Sequence, residues 1–281
     1  MRTVLIPTDF SENALQALTY AQEIFKCTRT VFYLLHAYDD NLYVNSEKST
    51  PKDRKRKSQE LYKRTVESLK VVVERTEGLP PNPKHSFETI ASSDSLVDAV
   101  NDAVNRLNVD IVVMGTKGGT SDNKTIFGSY TIQVFKYVVC PVLAIPGKVE
   151  FRPPKRILFP TDYMVPYKRR ELKLLGELAG QFKSEIHFLY LSDFDVLSNR
   201  QVDNKLFLKG TLDKAYLFFE TAKTQHKVNA ILECIAKKEM DMLTMVNSRH
   251  SFFEDMLYRS SVDELGMKVK IPFLVMQNLP R

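Results

Sequence analysis

Three glycines and a hydroxyl fall within one short stretch of this chain at a spacing that can hold a phosphate. Gly115-Thr116-Lys117-Gly118 is followed, after nine intervening residues, by Gly128-Ser129. The run just before it, Asp110-Ile-Val-Val-Met114, reads as a buried parallel strand. Tyr130 to Val138 reads as a short helix, and Pro141-Val-Leu-Ala-Ile145 as another buried strand. The glycines therefore stand where a strand hands over to a helix. Glycine lets the backbone take positive φ and lets a ligand approach closely. A helix start offers unpaired N–H groups and the positive end of a dipole. Together these features make an anion site.

The elements that must position this loop are written twice. Leu5-Ile-Pro-Thr-Asp-Phe10 recurs as Leu158-Phe-Pro-Thr-Asp-Tyr163, and Val31-Phe-Tyr-Leu-Leu-His36 is echoed by Ile186-His-Phe-Leu-Tyr190. Val109-Asp-Ile-Val-Val-Met114 is echoed by Met240-Asp-Met-Leu-Thr-Met245, and Cys140-Pro-Val-Leu-Ala-Ile145 by Ile271-Pro-Phe-Leu-Val-Met276. Landmarks matched in one order indicate two copies of a domain, 1–147 and 155–281, joined by the turn-rich stretch Pro146 to Pro154. In the first copy the predicted strands are Thr3–Pro7, Thr30–His36, His85–Ile90, Asp110–Gly115 and Val142–Ile145. Ser11 is placed to cap a helix carrying Ala14, Leu18, Ala21 and Ile24, and Ser93 or Ser95 to cap another. A long charged helix is predicted from about Lys52 to Glu77. Strands alternating with helices imply an α/β fold with a doubly wound parallel sheet. The second copy is shorter between its second and third strands, with the third strand predicted at Ala215–Thr221.

Composition narrows the class. A chain of 281 residues, 43% hydrophobic and 26% charged, suits two soluble globular domains. No apolar run reaches the roughly 18 residues that span a bilayer. The first residues lack the pattern of a secretory leader, so a cytoplasmic protein is expected. Cys27, Cys140 and Cys234 are scattered, which fits small buried hydrophobes in a reducing compartment. The net charge of +6 is partly concentrated in Lys48, Lys52, Arg54, Lys55, Arg56 and Lys57. With no recognition motif beside it, that cluster reads as a solvated helix start and not as a nucleic-acid site.

The glycine pattern resembles that of the universal stress protein family, a group of nucleotide-binding α/β proteins. Ile6-Pro-Thr-Asp-Phe-Ser11, His36-Ala37, Met114 before the loop and Cys140-Pro-Val-Leu143 carry the same resemblance over nearly the whole chain. It implies two tandem Rossmann-like domains of the adenine nucleotide α-hydrolase-like type, each a five-stranded parallel sheet flanked by helices. It also implies ATP, with or without Mg2+, in the first copy. Asp9 would face adenine and ribose, with Pro7 and Thr8 shaping the wall and an Ala37 backbone group meeting adenine. Gly115, Gly118, Gly128 and Ser129 would cradle ribose and phosphates, flanked by Met114 and Tyr130. Pairing of last strands, which in the family joins two chains, would here join Val142–Ile145 to Phe273–Met276 as an intrachain pseudo-dimer. Further association into a homodimer stays open, with no feature of the sequence supporting it, and a protein partner is expected but not identified.

Each residue also has a plainer reading. Asp9 would serve as a turn residue, Gly128-Ser129 as a helix cap and His36 as a packed strand-end residue. Lys117 and Lys124 would either neutralise phosphate or be solvated. Tyr130 stands where the family has a small aliphatic residue. Aligning the copies puts Asn247, His250 and Ser260-Ser261 opposite the three glycines and the hydroxyl, so the second copy is expected to bind no ATP. The resulting expectation is a nucleotide-dependent stress-response switch or scaffold. Two alternatives stay open: a slow ATP-hydrolysing enzyme, and an interaction module without nucleotide. No Walker A lysine-serine pair and no carboxylate cluster for a metal supports an efficient enzyme.

Overall fold

The structure is a computed structural model. It describes residues 1–38, 51–77, 81–117, 128–192, 194, 196–223, 226–248, 253 and 269–278. In chain order the first half contains β1 (Arg2–Pro7), α1 (Glu12–Ile24), β2 (Thr30–Ala37), α2 (Pro51–Glu77), β3 (His85–Ser92), α3 (Leu96–Leu107), β4 (Ile111–Gly115), α4 (Ser129–Tyr137) and β5 (Val142–Ile145). The second half contains β6 (Arg156–Thr161), α5 (Arg169–Phe182), β7 (Glu185–Leu191), α6 (Asn199–Thr211), β8 (Tyr216–Ala222), α7 (Lys227–Lys238), β9 (Met242–Asn247) and β10 (Phe273–Gln277).

The strands form one ten-stranded sheet in the order β3-β2-β1-β4-β5-β10-β9-β6-β7-β8. Pairing is parallel within each half and antiparallel where β5 meets β10, with Leu143 opposite Leu274. The expected pairing of the two last strands is therefore present inside one chain. It removes two apolar edges that would otherwise be open. The antiparallel seam also means that the carboxyl edge of one half is continuous with the amino edge of the other.

Why the strands lie centrally follows from their composition. β4 and β5 are buried at every position, as both faces of the sheet are covered. β3, at the sheet edge, alternates partly buried and exposed residues at its start. Helix ends are set locally in both halves. Ser11 and Ser95 cap α1 and α3 by accepting from Ala14 N and Asp98 N. Asn108 and Glu239 close α3 and α7 in the left-handed region, at φ 50° and 49°. Asp110 and Asp241 each accept a backbone N–H from the adjacent strand start, Thr3 N and Arg156 N, at 2.8 Å.

The expected elements appear, most with slightly shifted ends: β2 and β3 run on to Ala37 and Ser92, and β8 spans Tyr216–Ala222. The length difference between the halves also appears, since α2 has 27 residues and α6 has 13. Lys55, Arg56 and Lys57 are exposed on α2, a solvated face as read; Lys48 lies outside the described residues. Only Cys140 is a buried small hydrophobe, whereas Cys27 is exposed and Cys234 half-buried. Among the described residues no helix is long and apolar enough to cross a membrane.

Candidate functional site

The first half places its chemistry where the sheet order reverses. β1 lies between β2 and β4, so chains leaving β1 and β4 turn to opposite faces and leave a crevice beyond their carboxyl ends. Pro7 and Thr8 are buried there, and Asp9 is exposed at the rim. Asp9 Oδ1 accepts from Ser11 N at 3.1 Å, so the carboxylate shapes the turn while keeping its exposure. Thr8 Oγ1 accepts from Phe10 N at 3.0 Å. Phe10 sits at φ 64°, a strained position for a bulky residue. Its ring packs on His36, with centroids 4.6 Å apart. His36 Nδ1 donates to Thr8 O at 2.7 Å, so the imidazole is the packed strand-end residue of the plainer reading. Ala37 ends β2 on the same edge, half-buried, in register with Ser92 of β3.

The loop after β4 is tied down at both ends. Gly128 N donates to Thr116 O at 2.7 Å, closing the loop on itself. Thr131 Oγ1 donates to the same oxygen at 3.0 Å. Gly128 caps α4 in an extended conformation and supplies no side-chain hydrogen bond to the helix start. Ser129 and Tyr130 are exposed beside it, Tyr130 by 56%. Thr116 is fully buried, and its Oγ1 has no hydrogen-bond partner. Met114 is buried in the core behind the loop. Gly118 and Lys124 lie outside the described residues.

Gly115 has a packing role that does not depend on positive φ. No described glycine has positive φ. A Cβ at Gly115 would instead lie 2.8 Å from the Asn13 side chain and 2.9 Å from Asn13 O. Glycine is needed so that the first turn of α1 can approach the end of β4. Asn13 then bridges two strand ends: its Nδ2 donates to Ile145 O at 3.1 Å, and its Oδ1 accepts from Lys117 N at 2.9 Å. Sequence reasoning missed Asn13 and Thr116. The available signal was an asparagine inside the first turn of a helix, where it is a weak helix former unless its amide has partners.

The second half keeps the turn and fills the crevice. Asp162 Oδ1 accepts from Met164 N, Thr161 Oγ1 accepts from Tyr163 N, and Tyr163 sits at φ 57°, repeating the first turn. Tyr163 stacks on Tyr190 at 5.4 Å, where Phe10 and His36 meet in the other half. Tyr167 takes the place of Asn13, and its hydroxyl bonds Thr161 Oγ1 at 2.7 Å. Burial holds the Tyr167 and Tyr163 hydroxyls well above the ordinary phenol range. Strand register corrects the alignment of the copies by one residue. Val113 pairs with Leu143 as Thr244 pairs with Leu274, so Val246 stands opposite Gly115 and Asn247 opposite Thr116. Asn247 is buried and donates to Phe135 O at 2.9 Å, in α4 of the first half. The space left among Pro160, Thr161, Tyr167 and Val246 is about 20 Å³, room for about one water. His250, Ser260 and Ser261 lie outside the described residues.

Comparison with known proteins decides the family. The model of the Universal stress protein family matches residues 1–146. The chain belongs to that family. It is 26% identical over 154 residues to universal stress protein MJ0531 of Methanocaldococcus jannaschii, covering 51% of this chain and 81% of the relative. A crystal structure of a universal stress protein from Archaeoglobus fulgidus DSM 4304 superposes with a TM-score of 0.69 at 16% identity, over 99% of this chain and 98% of that one. A functionally unknown protein from Pseudomonas aeruginosa PAO1 does so with a TM-score of 0.59 at 15% identity, over 99% and 92%. Likeness at this identity establishes the fold, and it extends through both halves.

Proposed function

We propose that this universal stress protein binds ATP in its first half only, as a cytoplasmic nucleotide-dependent switch or scaffold, with residues 155–281 retained for packing or partner binding. One observation carries the reading: the uncapped start of α4 is held by Gly128 N against the end of β4, at the point where the sheet order reverses. The residues fit the ligand. A helix start without a side-chain cap keeps N–H donors for anionic oxygens, and the orphan Thr116 hydroxyl behind the loop is a further polar group. Asp9 at the rim suits a ribose hydroxyl or the adenine amine, and the Ala37 backbone suits the adenine edge. Gly115, Gly118, Gly128, Ser129 and Tyr130 form the phosphate side, with Pro7, Thr8 and Met114 as the wall. Among the described residues no group of three or more acidic, histidine or cysteine side chains could hold a metal, so Mg2+ would arrive on the triphosphate.

The test is mass spectrometry of small molecules released by denaturing the purified protein, followed by calorimetric titration of ATP into stripped chain. One ATP per chain supports the reading. ADP or AMP in its place points to slow hydrolysis. No nucleotide and no binding on addition of ATP points to an interaction module and refutes the proposal.

A further inference from the structure

A wide cleft lies on the edge opposite the candidate site. Its volume is about 860 Å³, between the amino ends of β1 and β4 and the exposed side of α5. Strand and helix register show what this cleft corresponds to. Pro7 faces Leu35 as Pro160 faces Leu189. Buried positions Ala17, Leu18, Ala21 and Ile24 of α1 match Glu171, Leu172, Leu175 and Leu178 of α5. The seam between β5 and β10 relates the two halves by a pseudo-twofold, so each half offers such a groove to the helix of the other.

One groove is occupied by the linker. Gln16 Nε2 donates to Val149 O at 2.7 Å, and Gln16 Oε1 accepts from Lys148 N at 2.8 Å. Phe151 seats its ring 5.1 Å from Tyr20 and 6.4 Å from Phe182. In the other groove Gln16 becomes Arg170, Thr19 becomes Lys173, Tyr20 becomes Leu174 and Phe182 becomes Thr28, all lining the open cleft. Smaller residues replace the two aromatic walls, and two cations replace the two neutral polar positions. The charges match this exchange. The filled groove has Glu239 and Asp241 where the open one has Asn108 and Asp110, and the linker seated there carries Lys148 and Arg152 on either side of Glu150, a net positive segment. Within the open cleft the two acids are engaged: Asp110 accepts Thr3 N, and Glu177 pairs with Arg2 and, at 3.9 Å, with the exposed Lys173, so cations outnumber acids there.

We propose that the open cleft is a docking groove for an extended acidic peptide segment of a partner protein, carrying one aliphatic or aromatic anchor. Its acidic side chains meet Arg170 and Lys173, and its anchor packs on Leu174, Val104 and Pro141. The filled groove shows that an extended segment with an aromatic anchor fits this geometry. The reversal of charge sets the sign of the second occupant.

The probe is a fluorescein-labelled peptide, Gly-Glu-Val-Glu-Phe-Glu-Pro-Pro, which is the linker sequence with its two cations replaced by glutamate. Anisotropy titration against the full chain is expected to saturate, and the unaltered linker peptide to bind more weakly. The double reversal Arg170→Glu with Lys173→Glu, on exposed positions of α5, is expected to weaken binding at least about tenfold. Asn105→Trp, which fills the cleft without changing charge, is expected to weaken it too. Equal binding of acidic and basic peptides, affinity within about twofold after the double reversal, or no saturation by about 1 mM would overturn the proposal.

Discussion

Gly115→Ala isolates the contact that fixes the candidate site. The added Cβ would lie 2.8 Å from Asn13 Cγ and Oδ1 and 2.9 Å from Asn13 O. Comfortable carbon contacts begin near ~3.5 Å. The Asn13 side chain can rotate away, but it then loses its bonds to Ile145 O and Lys117 N. Each such bond contributes about 0.5–1.5 kcal/mol. The backbone oxygen cannot rotate, so α1 must also shift against a close-packed core, which costs about 1–3 kcal/mol. The expected destabilisation is therefore about 2–6 kcal/mol, read as a lower urea midpoint.

Two comparisons separate this mechanism from a general intolerance of alanine. Gly147→Ala places its Cβ 4.0 Å from Asn13 Nδ2, an ordinary contact, and is expected to change stability by less than about 0.5 kcal/mol. The double variant with Asn13→Ala relieves the side-chain clash but keeps the backbone one. It is expected to be less destabilised than the sum of the single changes by about 0.5–2 kcal/mol. A Gly115→Ala protein within about 0.5 kcal/mol of the parent, or strict additivity with Asn13→Ala, would refute the reasoning.

Other expectations follow from the same geometry. Asp9→Asn should weaken ATP about tenfold or more by calorimetry, whereas Asp162→Asn in the filled crevice should leave it unchanged. Glu171 is buried at the start of α5, and burial pushes its carboxyl up to about 7. Its folded value exceeds its unfolded one, so the stability it contributes is complete below about pH 4.5 and is lost as pH rises through about 7. Glu171→Gln keeps the acceptor for Lys168 N and should flatten that loss in urea midpoints measured across the window. Phe253→Ala removes a ring packed 6.3 Å from Phe135 and 5.6 Å from Phe273, and should cost about 3–5 kcal/mol in the same assay.

The sheet was legible because its strands are buried on both faces and read as nearly continuous apolar runs. The edge strand β8 was placed one residue early, where Tyr216 and Phe218 are exposed and the apolar pattern no longer marks a face. Helix stops at Asn108, Lys183 and Glu239 carry no glycine to mark them, since non-glycine residues hold the left-handed position there. At the candidate site the turn after β1 and the helix start at Gly128 were readable from residue type. The function of Gly115 was not, because a close approach between α1 and β4 depends on tertiary distance and leaves the same letter as a positive φ. The one-residue slip at Asn247 has another cause: the match of Met114 with Met245 already puts Val246 opposite Gly115, as strand register does, and the slip comes from matching loop residues in place of strand residues.

A duplicated chain can lose one site and still use the space. Asn247 and Gln277 of the second half both donate to Phe135 O, at 2.9 and 3.0 Å. That oxygen is in the last turn of α4, where backbone carbonyls lack helical partners. The start of the same helix is the uncapped end at the candidate site. Less than two turns of helix, from Ser129 to Phe135, roughly 9 Å, thus separate the proposed phosphate contacts from the grip of the second half. A short rigid helix held at one end by buried amides transmits a displacement more readily than it absorbs one. A nucleotide held at the start of α4, as proposed, would accordingly bear on the seam between the halves through this helix.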